Sequence, residues 1–263
     1  MGVVNVTPDS FSDGGRLFDP ASAIAAGVRM AEEGADLIDV GGESTRPGAE
    51  PLDEQEERRR VLPVIEGLAG RVRIPVSVDT YKASTAAAAL EAGASLVNDI
   101  SGLRYEPALA DVVARRGVPI VLMHTRGRSR RMYEQASYHD VIAEVLDELR
   151  ESMAFATTAG ITAECIILDP GLGFAKDAVH SYEVLARLDE FAELGRPLLV
   201  GPSRKSFLAR PLGGSVPPSD RDWATAAAVA SAVLAGAHIV RVHAVREMLQ
   251  VVHVAEEIRR YHS

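Results

Sequence analysis

The chain has 263 residues, 47% of them hydrophobic, and a formal net charge of −9. That acidity disfavours nucleic acid or an anionic membrane as a partner; no apolar stretch reaches membrane-spanning length, and no basic-then-apolar signal segment leads the chain. The single cysteine, Cys165, excludes an internal disulfide and fits a reducing cytoplasm, and its place at the head of an apolar run makes it a packing thiol rather than a nucleophile.

The first apolar run ends in Val3-Val4-Asn5, and a decorated connection, Thr7 to Gly15, follows it. Asp19-Pro20 then opens a helix as N-cap and first residue, with Ile24, Val28 and Ala31 on one face and Gly34 closing it. Leu37-Ile38-Asp39-Val40 is the second run, and it leads into Glu43 and a second decorated connection, Gly41 to Gly48. A helix over about 51–68 carries the i,i+4 pairs Glu54/Arg58 and Glu56/Arg60 on its wet face, with Val61, Ile65 and Leu68 inward. Six further runs end in Val78-Asp79, Asn98-Asp99, Met123-His124, Leu168-Asp169, Val200 before Arg204-Lys205, and Arg241-Val242-His243. Helical segments over about 83–92, 107–116, 138–158, 178–190, 220–236 and 244–260 separate them.

Eight continuous apolar runs alternating with helices predict parallel strands buried on both faces, a (β/α)8 barrel. The length is close to the ~250 residues usual for that fold, so residues 1–263 read as one domain. In such a barrel the carboxyl ends of the strands meet at one mouth, and the polar residues that end the runs become the candidate site. The two decorated connections leave that mouth and read as lids, against the alternative of plain surface loops. The basic run Arg126 to Arg131 after the fifth strand reads as a solvated face.

Strands seven and eight of such barrels often end in a phosphate site, and here they bring Ser203, Arg204, Lys205, Ser206, Arg241 and His243. An anion held by Arg241 and His243 is the functional reading, and a structural ion pair is the alternative retained for Arg204. Across the mouth stand Asp79, Asn98, Asp99 and Asp169, which either form a structural network or await a ligand rich in N–H donors such as an aminopyrimidinone edge. Asp169-Pro170-Gly171-Leu172-Gly173-Phe174 adds a tight turn and an aromatic cover. No His or Cys spacing suits zinc; magnesium bridging Asn5 and phosphate oxygens stays open.

These segments, together with Gly2 to Gly15, Asp39 to Gly48, Ser77 to Thr80 and Leu122 to His124, resemble in order the motifs of the dihydropteroate synthases of the pterin-binding barrel family. The resemblance implies condensation of 6-hydroxymethyl-7,8-dihydropterin diphosphate with para-aminobenzoate, giving 7,8-dihydropteroate and pyrophosphate, with Mg2+ as cofactor. By position it implies that Asp79, Asn98, Asp169 and Lys205 hold the pterin, with Asp79, Asp169 and Lys205 catalytic. It implies that Asn5, Arg241 and His243 hold the diphosphate, Asn5 with the metal. Para-aminobenzoate would lie against Phe174, Lys205 and Ser206 under Phe11, Thr45, Arg46 and Pro47, and a homodimer would form through the last helices. The chain departs from the family pattern at Ser129, Trp223 and Ala244, and its start at Met1 inside the first strand motif reads as a trimmed N-terminus. Alternative readings are a methyltransferase using a folate methyl donor, disfavoured by the phosphate-type residues, and a catalytically silent pterin-binding barrel.

Overall fold

The computed structural model describes residues 1–7, 19–45, 48–128 and 132–261. Strands and helices alternate throughout: β1 (Gly2–Asn5), α1 (Pro20–Glu32), β2 (Ile38–Gly41), α2 (Glu54–Ala69), β3 (Val76–Asp79), α3 (Ala83–Glu91), β4 (Leu96–Asp99) and α4 (Leu109–Arg116). The second half continues with β5 (Ile120–Met123), α5 (Val141–Thr158), β6 (Ile166–Asp169), α6 (Ala178–Ala186), β7 (Leu199–Val200), α7 (Asp222–Leu234), β8 (Ile239–Val240) and α8 (Val245–Arg259). Strands β1 to β6 pair in sequence order and β7 pairs with β8, all in parallel. Single parallel bridges, Leu168 to Leu198 and Gly2 to Val242, join β6 to β7 and β8 to β1, so the ring closes as the expected barrel.

The helices begin and end where local chemistry dictates. Asp19 caps α1 by accepting from Ala21 N and Ser22 N at 3.0 and 3.1 Å, and Asp53 caps α2 in the same manner. The Glu54/Arg58 and Glu56/Arg60 pairs form at 2.6 and 2.8 Å, while Val61, Ile65 and Leu68 are wholly buried. Three helix limits differ from expectation by three residues or more, the first being the start of the second helix, at Glu54 after its cap Asp53 rather than at about 51. The sixth helix stops at Ala186 and continues as a 3-10 segment over Leu188–Leu194, and the fifth starts after Asp140, whose carboxylate takes the cap, rather than after Ser137.

Strand alternation sorts the side chains into two sets. Outward-facing Ile38, Val40, Val78, Val97, Leu122 and Leu168 pack with the helices in the main core. Inward-facing Leu37, Leu96, Val121, Ile167, Leu199 and Ile239 form a separate apolar plug with Met1. Two residues further along each strand, the inward positions are Asp39, Asn98, Met123, Asp169, Gly201 and Arg241. The barrel thus changes from apolar to polar within a single layer, and that layer is the floor of the mouth.

Candidate active site

Arg241 is the centre of the polar layer. Its Nε donates to Asp39 Oδ2 at 2.7 Å and its Nη2 to Asp79 Oδ2 at 2.8 Å, so one guanidinium ties β8 to β2 and β3. Asn98 Nδ2 donates to the same Asp39 oxygen at 3.0 Å, which leaves the Asn98 carbonyl oxygen as the atom offered to a ligand. Asp39 is wholly buried and was not among the residues assigned a role from sequence. The available signal was parity: it stands two positions beyond Leu37, on the inward face, as Asp79 stands beyond Ser77. The other Asp39 oxygen has no hydrogen-bond partner, nor has the hydroxyl of Ser77, its register neighbour on β3. Burial pushes the Asp79 carboxyl up to about 7, with Arg241 pulling the opposite way.

The same parity removes Asp99 from the mouth. It points outward, where its Oδ1 accepts from Ser101 N and Oγ at 2.8 and 2.7 Å and its Oδ2 from Leu103 N at 2.6 Å. Those bonds satisfy a turn and leave nothing for a ligand, so Asp99 is structural.

On the far lip, Asp169 Oδ1 accepts from Gly171 N at 2.7 Å, and burial raises its carboxyl despite the nearby Lys205. Lys205 Nζ donates to Leu172 O at 2.5 Å and sits 4.5 Å from the centre of the Phe174 ring. Burial lowers Lys205 to about 8, with Asp169 opposing. The turn needs glycine at 171: φ is +71°, and a Cβ there would lie 2.0 Å from the carbonyl oxygen of His124.

At the ends of β7 and β8, His243 Nδ1 lies 2.9 Å from Ser203 Oγ, and its Nε2 faces Asn5 Nδ2 at 3.4 Å. Arg204 instead pairs bidentately with Asp222 at 2.7 and 2.8 Å, the structural role retained for it. Ser206 is exposed at the lip and Thr45 is half-buried. Phe11, Arg46 and Pro47 lie outside the described residues. The root of the connection after β2 is anchored by buried Lys82, which bonds Glu43 and Glu57 at 2.5 and 2.7 Å. Arg126, from the basic run after β5, is committed to Glu144 at 2.7 Å and lies over the Tyr138 ring, while Arg130 and Arg131 are outside the described residues.

Among the described residues no group of three or more His, Cys, Asp or Glu is placed to hold a metal, and no helix is long and apolar enough to cross a membrane. A hard cation brought in on a diphosphate needs little from the protein, and Asn5, whose Nδ2 faces His243, has its amide oxygen left as a compatible ligand. The arrangement as a whole offers a donor-hungry wall (Asp79, Asn98 Oδ1, Asp169), a cation with a lowered pKa (Lys205), and a donor-rich corner (Arg241, His243).

The sequence pattern of the family described as "Pterin binding enzyme" matches residues 1–243. The dihydropteroate synthase of Synechocystis sp. is 45% identical over 260 residues, covering 99% of this chain and 90% of its own. The structure of the Yersinia pestis synthase in a sulfonamide drug complex superposes with a TM-score of 0.93 at 42% identity, covering 98% of this chain and 93% of that one. The Clostridium difficile synthase, solved in the presence of pteroic acid, gives 0.91 at 41% identity, covering 98% and 95%. The chain belongs to the pterin-binding enzymes and, within them, to the dihydropteroate synthases.

Proposed function

We propose that this enzyme is a transferase of folate biosynthesis that joins 6-hydroxymethyl-7,8-dihydropterin diphosphate to para-aminobenzoate, releasing pyrophosphate and 7,8-dihydropteroate. The observation that carries the reading is the convergence of Asp79, Asn98, Asp169, Lys205 and Arg241 on one barrel mouth in a chain of this family. The pterin ring edge presents N–H groups in a row, which suits the carboxylate of Asp169 and the carbonyl oxygen of Asn98; Lys205 donates to ring acceptors. The relatives' complexes with pteroic acid and a sulfonamide drug support small molecules of that shape as occupants. A folate methyl donor carries no diphosphate, so the Arg241 guanidinium with His243 at the ends of β7 and β8 favours the synthase over a methyltransferase.

In the reaction the C–O bond between the pterin methylene and the diphosphate breaks, and pyrophosphate leaves with the electron pair. A methylene conjugated with the ring can carry the resulting positive charge, and ionised Asp79 stabilises it electrostatically. The amine lone pair of para-aminobenzoate then forms the C–N bond and the nitrogen loses its proton. Arg241 and His243 hold the leaving group, and Phe174 with the lip at Lys205 and Ser206 receives the aminobenzoate ring. Phe11, Thr45, Arg46 and Pro47 are assigned to the cover that keeps water from the cation. Asn5 would hold Mg2+, whose charge would offset that of the departing pyrophosphate.

The active form is assigned as a cytoplasmic homodimer. A groove of about 330 Å3 between α7 and α8 is lined by Ala230, Leu234, Val251, Val254, Ala255 and Ile258, and Leu234, Val254 and Ile258 are exposed there. The free thiol of Cys165 suits a reducing compartment. Incubating the purified protein with both substrates and Mg2+ tests the activity: the reading requires dihydropteroate and pyrophosphate in equal amounts, and a folded protein that yields neither overturns it.

A further inference from the structure

Lys176 is a buried lysine that the reaction does not use. Its side chain has no exposure, and its Nζ lies 2.7 Å from His124 Nδ1, 3.2 Å from Phe174 O and 3.3 Å from Gly171 O. The acceptors are well defined. His124 Nε2 faces Glu148 Oε2 at 3.2 Å, so its proton sits there and Nδ1 is left to accept from Lys176. Burial, with Lys176 alongside, pushes His124 down to about 3, which keeps the ring neutral in that tautomer. Glu148 is held in turn by Arg104 at 2.6 Å and by Arg126.

The carbonyls of the turn after β6 are therefore divided between two lysines. Gly171 O and Phe174 O face Lys176 behind the turn, and Leu172 O faces Lys205 in the mouth. The backbone between them is of a kind that needs holding: Gly171, Gly173 and Ala175 all have left-handed φ, and at Ala175 (φ +47°) the conformation is costly for a side chain. Tyr138 Oη donates to Ala175 O at 2.9 Å, and Gly173 N donates to Ser181 Oγ at 3.1 Å. A pterin bound as proposed would compete with Leu172 O for Lys205 Nζ, whereas the contacts of Lys176 lie outside that exchange.

We propose that Lys176 is a positioning residue for the para-aminobenzoate subsite, holding the 171–174 turn and the Phe174 ring in place while Lys205 changes partner. This rests on the proposed reaction for its substrate, but the clamp itself does not. The test uses the full chain with Lys176→Met, which keeps the stem to Cε without donors, and Lys176→Gln, whose amide can still donate to two carbonyls. Each is checked for a cooperative unfolding transition, then measured for steady-state kinetics with both substrates and for amide exchange at residues 171–175. In Lys176→Met the KM for para-aminobenzoate should rise by about tenfold or more, with kcat and the KM for pterin diphosphate within about threefold, because a displaced ring misplaces only the second substrate. Exchange at residues 171–175 should quicken, and Lys176→Gln should fall between Lys176→Met and wild type. Should Lys176→Met fail to fold, the same readings on Lys176→Gln decide. Wild-type values for KM and exchange in a folded variant overturn the proposal, as does an equal loss in every kinetic constant. If wild type itself forms no dihydropteroate, the reaction assignment fails, and the exchange comparison still decides the clamp.

Discussion

Replacing Arg241 by Met keeps the aliphatic stem and removes the guanidinium from between two carboxylates. Asp39 is wholly buried, and the side chains of Asp79 and Arg241 are 13% and 21% exposed, so the cluster is sheltered but not sealed. Breaking a buried ion pair by removing one partner costs about 3–5 kcal/mol, and the partly open mouth places the loss near the low end, about 3 kcal/mol at pH 8. The loss should depend on pH. Burial already gives Asp79 a folded pKa of about 7, well above its unfolded value, and losing Arg241 raises it further. Between about pH 4 and pH 8 the folded mutant then binds more protons than the unfolded chain, so its stability rises as pH falls. Urea unfolding at pH 8 and pH 5.5 measures this: the deficit relative to wild type should shrink by about half or more at the lower pH, as the abandoned Asp79 carboxyl takes up a proton. A deficit below about 1 kcal/mol at pH 8 would mean that water, not Arg241, compensates Asp39 and Asp79.

The pH dependence of kcat/KM should be bell-shaped. Its acid limb near 7 follows ionisation of Asp79 and its alkaline limb near 8 follows loss of the Lys205 proton, so Asp79→Asn should flatten the acid limb only; an unchanged limb would assign it to another group. Gly171→Ala, with its new Cβ driven into the His124 carbonyl, should cost about 2–4 kcal/mol in urea unfolding, and a near-neutral result would show that the turn can shift. With Mg2+ and pterin diphosphate but no para-aminobenzoate, the enzyme should exchange labelled pyrophosphate into substrate, because a dissociated cation can recombine. Asp79→Asn should slow this exchange more than it weakens pterin binding, and no detectable exchange during normal turnover would favour direct displacement.

The barrel was legible because strands buried on both faces leave continuous apolar runs, and all eight appear in the structure in the expected order. The site was legible through the polar residues that end those runs, but spacing alone did not separate Asn98 from Asp99. Only the pleat does so, sending the first into the mouth and the second into its own turn. Asp39 was missed because a residue inside a strand motif carries no mark of the two partners that reach it from β4 and β8. Lys176 was missed for a similar reason, since an isolated lysine after a glycine turn reads as surface until the fold closes over it. Arg241 was expected on a diphosphate, and its commitment to Asp39 and Asp79 adds a structural duty that sequence left to Arg204.

The central claim is that the wall formed by Asp169 and Lys205 reads the pterin ring. Calorimetric titration of the pterin diphosphate into wild type, Asp169→Asn and Lys205→Ala addresses it directly. Each substitution removes a charge-assisted hydrogen bond, so pterin binding should weaken by about 1.5–3 kcal/mol in both folded variants. Affinities indistinguishable from wild type in both would contradict the account and place the pterin elsewhere.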